Sequence, residues 1–158
     1  MRTGSSLDAY VDYLLKLPEN GTGQCMVVNP IGSDTFAGLC SFINPSRLHR
    51  RVRIGHMWLD TAYRGKGMFR HMQTLMIKAA LDWRAKRIEW RVEDRNERVL
   101  SLLESVGATK EGVLRNYLRH ADGTWVNIAI FSMMRPEAEA YVRMFEDDEG
   151  PLPKRAAT

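Results

Sequence analysis

The sequence predicts a mixed α/β domain built on one twisted, mostly antiparallel sheet with helices on its faces. Strand-like runs dominate residues 24–59, a run of helical spacing follows a glycine-bearing loop at 60–67, and Asp122-Gly123 lies between two further strand-like runs. With 158 residues and 44% hydrophobic content, the chain suits one globular domain, which we place at 1–145. Residues 146–158 are acidic, then proline-rich and basic, and are expected to form a disordered tail.

Each element has its own signal in the sequence. Apolar residues spaced by three and four predict the helices, and alternation predicts the strands. Alternation over 51–59 places Val52 and Ile54 on one face, together with His56 and Trp58. The predicted order is helix 7–15, strands 24–28, 36–43 and 51–59, helix 68–83, strand 88–92, helix 97–106, strands 115–119 and 125–133, and helix 136–145.

Composition narrows the classes of protein. The formal net charge of +4 suits an anionic ligand such as a polyphosphate cofactor, and it also suits nucleic acid, with the densest basic patch at 47–53. No apolar run reaches the roughly 18 residues of a membrane span, and the N-terminus lacks the apolar core of a secretory signal. We therefore expect a cytoplasmic protein without membrane contact. Cys25 and Cys40 lie in strand-like runs without ligand spacing, so we expect reduced thiols and no metal site.

The segment 54–68 carries the strongest functional signal. A strand delivers the chain into a loop, and the loop opens a long helix whose first backbone N–H groups lack intrahelical partners. Those N–H groups and the positive end of the helix dipole attract phosphate. Gly65 and Gly67 let a ligand approach the backbone, and Arg64 and Lys66 add positive charge. The structural alternative is a tight strand-to-helix turn with solvated basic residues.

Several sequence fragments recur together over residues 36–135. They are Ile54-Gly55-His56-x-Trp58, Arg64-Gly65-Lys66-Gly67, Arg87-Ile88-Glu89, Asn96-Glu97-Arg98, Gly107, Glu111-Gly112-Val113-Leu114-Arg115, Asp122-Gly123-x-Trp125 and Ser132-x-x-Arg135. In this order and spacing they resemble the GNAT superfamily of N-acetyltransferases, specifically the branch of the Rim-type ribosomal-protein N-acetyltransferases. The resemblance implies a GNAT-like sheet flanked by helices.

The resemblance also implies acetyl-CoA as the co-substrate. The superfamily's pyrophosphate loop, Arg/Gln-x-x-Gly-x-Gly/Ala, falls on Arg64, Gly67 and Phe69, and Phe69 departs from the expected small residue. Backbone amides of 64–69 would hold the diphosphate, while strand groups of 57–59 would pair with pantetheine and polarise the thioester carbonyl. The cofactor-binding residues implied in this way are Met57, Trp58, Leu59, Arg64, Gly65, Lys66, Gly67, Met68, Phe69 and Asn96.

Direct attack of an amine on a thioester requires a proton acceptor, and the leaving thiolate benefits from a proton donor. The branch often uses a serine as donor where this sequence has Val99, and its proposed glutamate base falls near Leu118.

Glu93, at a strand end beside the expected acetyl site, is the first candidate for orienting or deprotonating the amine, with a helix cap as its alternative. His56 is the second candidate, and a packed strand histidine is its alternative. Tyr117 is a candidate hydroxyl near the substrate groove. Ranked behind these are Asp60 and His120.

The function predicted from the sequence is N-acetyl transfer from acetyl-CoA to a primary amine by direct attack. A non-catalytic acyl-CoA-binding module and a basic nucleic-acid-associated protein are the alternatives. The acceptor stays open among a protein N-terminus, a small amine and a modified nucleoside. The predicted elements begin at the helix that follows the family's usual first strand and helix, so we expect a second copy of the chain, or another partner, to cover the exposed edge.

Overall fold

The computed structural model describes residues 7–150, which form one six-stranded sheet with four α-helices. The elements are α1 (Leu7–Leu15), β1 (Gly23–Val28), β2 (Gly38–Ser46), β3 (Arg51–Leu59), a 3-10 turn (Thr61–Tyr63), α2 (Met68–Asp82), β4 (Arg87–Glu93), α3 (Glu97–Ser105), β5 (Thr109–Arg119), β6 (Trp125–Met134) and α4 (Arg135–Glu149). The strand order is β1-β2-β3-β4-β6-β5, and only β3 and β4 run parallel. The predicted fold class is confirmed.

Most element bounds differ from the prediction by one to three residues, and β5 and α4 differ by more. Strand β5 begins at Thr109 rather than at residue 115, because it is an edge strand whose residues are almost all exposed and show no alternating apolar signal. Helix α4 continues past the predicted domain end at residue 145 and reaches Glu149, so 146–149 belong to the helix and not to a tail. The rest of the predicted tail, 151–158, lies outside the described residues.

The main core lies between one face of the sheet and helices α2, α3 and α4. Alternate residues of β4, Ile88 and Trp90, enter this core together with Phe131 of β6. The methionines of α2 fill the core as expected, and the Cys40 thiol donates to the Met76 sulfur at 3.3 Å. Both cysteines are free thiols. No helix among residues 7–150 has the length and apolarity that crossing a bilayer requires.

The opposite face of the sheet carries a row of charges along β4. Arg87, Glu89, Arg91 and Glu93 alternate with the buried residues of that strand and therefore share this face. Helix α1 packs over the same face, on the β1–β3 side of the sheet, since its tyrosines contact His56. The charged row is thus placed beside α1 and away from the main core.

A β-bulge at His56 changes the prediction for β3. Leu39 faces Trp58 and Ser41 faces Gly55, so two residues of β3 oppose Cys40 alone. His56 has a positive φ of 49°, and the alternation reverses after it. Leu59 is therefore buried in the main core, whereas Trp58 is 42% exposed. The expectation that Trp58 shares a face with Val52 and Ile54 is wrong, because the extra residue shifts the pleat.

Strands β3 and β4 separate beyond their first residues. Their parallel pairing covers only Arg51–Arg53 and Arg87–Glu89, although β3 continues to Leu59 and β4 to Glu93. Beyond Arg53, backbone groups of β3 that point toward β4 have no strand partner there. The sheet thus opens into a cleft that begins at Arg53 and widens toward the loop before α2.

Candidate functional site

The loop between β3 and α2 is braced by its own side chains. Asp60 caps the 3-10 turn, since its Oδ1 accepts from the Ala62 amide at 2.9 Å. The Arg64 amide donates to the Thr61 carbonyl at 3.3 Å, and Arg64 Nε donates to the Leu59 carbonyl at 2.8 Å. Arg64 was expected to offer its amide to a diphosphate, but that amide is already occupied within the turn.

The amides that follow Arg64 are open. Gly65 and Gly67 each have a φ of 75°, a left-handed conformation that turns the chain into α2 and that glycine adopts without strain. Gly67 is the N-cap and provides no side-chain cap, and the first turn of α2 has no acidic residue. Among residues 7–150, none accepts a hydrogen bond from the amides of Gly65, Lys66 or Gly67. Together with the first helical amides they form an exposed run of donors at a positive helix end.

An aromatic pair lies near the end of β3 that leads into this loop. The rings of Trp58 and Phe36 stack with centroids 5.9 Å apart, and both side chains are partly exposed. Met57 packs against the main core on the other face of the strand. The expected cofactor residues of β3 thus lie on the free margin of the sheet, adjacent to the open amides.

His56 lies under helix α1 rather than in open solvent. Its Nδ1 is 3.0 Å from the Tyr10 hydroxyl, and its ring meets those of Tyr10 and Tyr13 edge-on. Burial, with the nearby charge of Arg53, lowers the pKa of His56 to about 4. The imidazole is therefore neutral at pH 7 and has little tendency to take a proton.

Glu93 lies at the open end of β4 and has two nitrogen-bearing neighbours, His120 and Arg95. Its Oε1 is 2.9 Å from His120 Nε2, and its Oε2 accepts from Arg95 Nε at 3.2 Å. Burial raises the pKa of Glu93, but the hydrogen bonds from His120 and Arg95 outweigh burial and bring the pKa below its ordinary value. Glu93 is a carboxylate at neutral pH. Its carbonyl also accepts from the Asn96 amide at 2.9 Å, which fixes the turn into α3.

Asn96 caps α3, because its Oδ1 accepts from the Val99 amide at 3.4 Å. Tyr117 of β5 lies on the charged face, where its hydroxyl accepts from Arg91 Nη1 at 2.8 Å and the guanidinium lies 5.7 Å from the ring centroid. Glu93 and Tyr117 therefore share a face with the charged row, whereas Asn96 marks the end of the cleft. Leu118, where the branch has its proposed base, is partly exposed on β5.

The sequence prediction missed two arginines of this face. Arg53 and Arg91 lie where β3 and β4 part, and neither is within ion-pair distance of a carboxylate in the described part of the chain. The signal was present, since Arg91 lies in period-two alternation with Glu89 and Glu93. Arg53 lies within the basic patch at 47–53, and the charge density of that patch obscures its place in the alternation of β3.

The basic patch is partly structural. Arg50 Nε donates to the Arg84 carbonyl at 3.0 Å, and the Arg50 carbonyl accepts from the Lys86 amide at 2.6 Å. These bonds tie the β2–β3 turn to the start of β4. Arg50 therefore stabilises the fold, which favours a structural role for this residue over nucleic-acid binding.

The open amides at the start of α2 suit a phosphate-bearing co-substrate, and the cleft between β3 and β4 offers it a place beside the sheet. The chain belongs to the acetyltransferase (GNAT) domain family, whose model matches residues 2–109. The resemblance to the GNAT superfamily that the sequence predicts is confirmed.

Individual relatives agree with this assignment. An uncharacterized N-acetyltransferase, p20, from Bacillus licheniformis is 31% identical over 106 residues, and that match covers 66% of this chain and 58% of the relative. A crystal structure from T. thermophilus, provisionally described as an acetyltransferase, has a TM-score of 0.76 at 27% identity and covers 89% of this chain and 72% of its own. The ribosomal-protein-S5-alanine acetyltransferase of Vibrio fischeri shares the fold, with a TM-score of 0.69 at 23% identity, over 84% of this chain and 77% of its own.

Proposed function

We propose that the protein transfers an acetyl group from acetyl-CoA to a primary amine by direct attack. The observation that carries the proposal is the run of open, exposed amides from Gly65 into the first turn of α2, adjacent to a strand that has lost its partner. Backbone donors at a helix N-terminus favour a diphosphate, and an unpaired strand favours an extended, amide-containing arm. Membership of the acetyltransferase family supports the same reading.

The co-substrate is held mainly by backbone groups in this proposal. The amides from Gly65 to Phe69 bind the diphosphate, with Lys66 adding charge from the exposed side. The free margin of β3 from Met57 to Leu59 pairs with pantetheine and presents an N–H to the thioester oxygen. Arg64 acts through the loop, because its two bonds hold the turn in place.

The reaction follows from this placement. The amine nitrogen, in its neutral form, attacks the carbonyl carbon, and a strand N–H stabilises the negative charge that develops on the oxygen. The carbon–sulfur bond then breaks, CoA leaves as a thiolate that takes up a proton, and the amine nitrogen releases one. Tyr117 is the proposed hydroxyl donor to the thiolate, since it accepts from Arg91 and keeps its own proton to give.

Glu93 is the proposed partner of the amine. A carboxylate with a low pKa is sufficient as acceptor, because the nitrogen becomes strongly acidic once it is bonded to the carbonyl carbon. The negative charge also attracts the ammonium form before attack. His56 ranks below Glu93, because its Nδ1 is engaged with Tyr10 beneath α1.

The test is a thiol-release assay with acetyl-CoA across a panel of amines, combined with a direct measurement of CoA binding. Glu93→Gln is expected to lower kcat by about 100-fold or more while leaving CoA affinity unchanged. Glu104→Gln, which makes the same change on the exposed side of α3, is the control and should retain activity. CoA binding without thiol release on any amine would instead favour the non-catalytic module. Equal rates for the two variants would remove Glu93 from the mechanism.

Dimerisation remains a proposal. Light scattering coupled to size-exclusion chromatography should show a mass of two chains if a second copy covers a free edge of the sheet. A stable monomer would count against it.

A further inference from the structure

Arg53 and Arg91 lie together on the charged face at the point where the cleft begins. Arg53 is the register partner of Glu89 across the parallel pair, and Arg91 follows Glu89 by two residues on the same face. The Tyr117 hydroxyl lies beside Arg91, from which it accepts a hydrogen bond. Three donor groups from three strands thus converge beside the proposed acetyl-transfer cleft.

In the described part of the chain neither arginine forms an ion pair, although Glu89 lies near enough to Arg53 to raise its pKa. Within residues 7–150, Arg53 makes no side-chain hydrogen bond or ion pair, and the hydrogen bond of Arg91 goes to a neutral phenol. Glu89, the carboxylate closest in register, is committed to Arg87 at 2.6 Å. Arg53 is also half-buried, and burial together with the charge of Arg91 lowers its pKa. A half-buried guanidinium beside a second cation is stabilised when an anion binds to both.

We propose that the acceptor amine carries a carboxylate or phosphate group, which Arg53 and Arg91 bind while the amine faces Glu93. This proposal rests on the proposed acetyl transfer. Guanidinium groups match both anions through paired N–H donors, so the shared chemistry is a planar or tetrahedral oxyanion. Arg53 is half-buried where the cleft begins, and the exposed Arg91 lies two residues from Glu93, the residue assigned to the amine.

The spacing sets the length of the acceptor. Arg91 and Glu93 are two residues apart on one strand, so their side chains leave the sheet about 6–7 Å apart. The anion and the amine of the acceptor should be separated by a similar distance. A chain such as that of 5-aminopentanoate or 3-aminopropyl phosphate spans it, whereas glycine is too short. A diamine of the same length would bring its second positive charge against both arginines and should be disfavoured.

The experiment compares four acceptors of matched length in the thiol-release assay: 5-aminopentanoate, 3-aminopropyl phosphate, pentylamine and 1,5-diaminopentane. Either anionic acceptor should exceed pentylamine in kcat/KM by about tenfold or more, and the diamine should be the poorest. Preference for the carboxylate or the phosphate then identifies the source of the oxyanion.

Variants separate recognition of the anion from catalysis. Arg53→Gln should lower kcat/KM for the preferred anionic acceptor by roughly 10- to 100-fold and leave pentylamine near its wild-type value. Arg143→Gln removes the same charge from an exposed position on α4, across the sheet, and should change neither rate. Arg91→Gln should lower kcat/KM for every acceptor, and for the anionic one most, because Arg91 both binds the anion and donates to the Tyr117 hydroxyl.

Two outcomes overturn the proposal in distinguishable ways. If amines are acetylated but the anionic acceptors gain nothing over pentylamine, or the diamine is best, the acceptor assignment fails and acetyl transfer stands. If no amine in a wider panel releases CoA thiol, acetyl transfer fails and the acceptor assignment falls with it.

Discussion

Replacing Gly67 with valine tests the amide run most directly. Gly67 is the N-cap of α2 with a φ of 75°, and a Cβ built there would meet no atom within 4 Å. The side chain would therefore fit sterically, but a β-branched residue is strained in this conformation and would stand beside the open amides. Gly107, with a φ of 83° and equally open surroundings at the end of α3, provides a matched control.

The two variants should behave alike in stability and differently in binding. The left-handed conformation costs an L-residue about 1–2 kcal/mol, so both Gly67→Val and Gly107→Val should lower Tm by roughly 2–8 °C. A hydrogen bond from an amide to a charged phosphate contributes about 1.5–3 kcal/mol. Loss of one such bond in Gly67→Val raises the Kd for CoA by about 10- to 100-fold, while Gly107→Val keeps the wild-type Kd.

Calorimetric titration with CoA and thermal unfolding of both variants provide the readouts. If Gly67→Val binds CoA as tightly as Gly107→Val does, the amides at the start of α2 do not hold the diphosphate. If both variants lose CoA affinity equally, general destabilisation explains the loss and the reasoning fails as well.

Three further changes test the electrostatics and the core. The pKa of His56 is lowered to about 4, so between pH 6.5 and 4 the unfolded chain binds a proton that the native protein does not. The free energy of unfolding should therefore decrease as the pH is lowered across that window, by about 1–2 kcal/mol after solvent screening of the half-buried ring. Urea unfolding of His56→Asn should show a flatter pH profile, and an unchanged slope would contradict the assignment. Hydrogen bonding to Arg87 lowers the pKa of Glu111 to about 2, so its contribution is present above pH 4.5 and lost toward pH 2. In Glu111→Gln the free energy of unfolding should depend slightly less on pH between 4.5 and 2, and the change should be small because the Glu111 side chain is partly exposed. A steeper pH dependence in the variant would contradict this assignment. Tyr141→Phe removes the buried 2.9 Å bond to Thr74 and should lower the free energy of unfolding by about 1 kcal/mol at every pH, whereas no change would mean that the bond contributes nothing.

Periodicity predicted the elements that bury one face. Strand β3 has the predicted bounds and α2 differs at its end by one residue, because burial selects apolar residues at regular intervals. The Asp122-Gly123 turn was equally readable, since Gly123 adopts a φ of 86°. The prediction gave β5 too short because this edge strand is exposed on both faces, so apolar residues do not recur along it at every second position.

The site was less readable because it depends on local departures from regularity. One extra residue at His56 reverses the pleat of β3 and moves Trp58 to the exposed face, and no sequence period reports an insertion of that size. The same bulge places His56 under α1, where burial removes the near-neutral titration that made it a candidate. The open amides were predictable from glycine positions, whereas the occupied amide of Arg64 depends on the 3-10 turn before it.

The charged row of β4 connects the fold to the choice of acceptor. Its four members alternate in sign from Arg87 to Glu93, and the first two neutralise each other at 2.6 Å where β3 still pairs with β4. The last two face the opened cleft, where the Arg91 hydrogen bond goes to a phenol and Glu93 is held by His120 and Arg95. In the proposed reaction the acceptor brings a negative group to Arg91 and its amine to Glu93, in that order along the strand. An acceptor with an oxyanion at one end and an ammonium at the other meets that requirement, and neither a polyamine nor a simple alkylamine does.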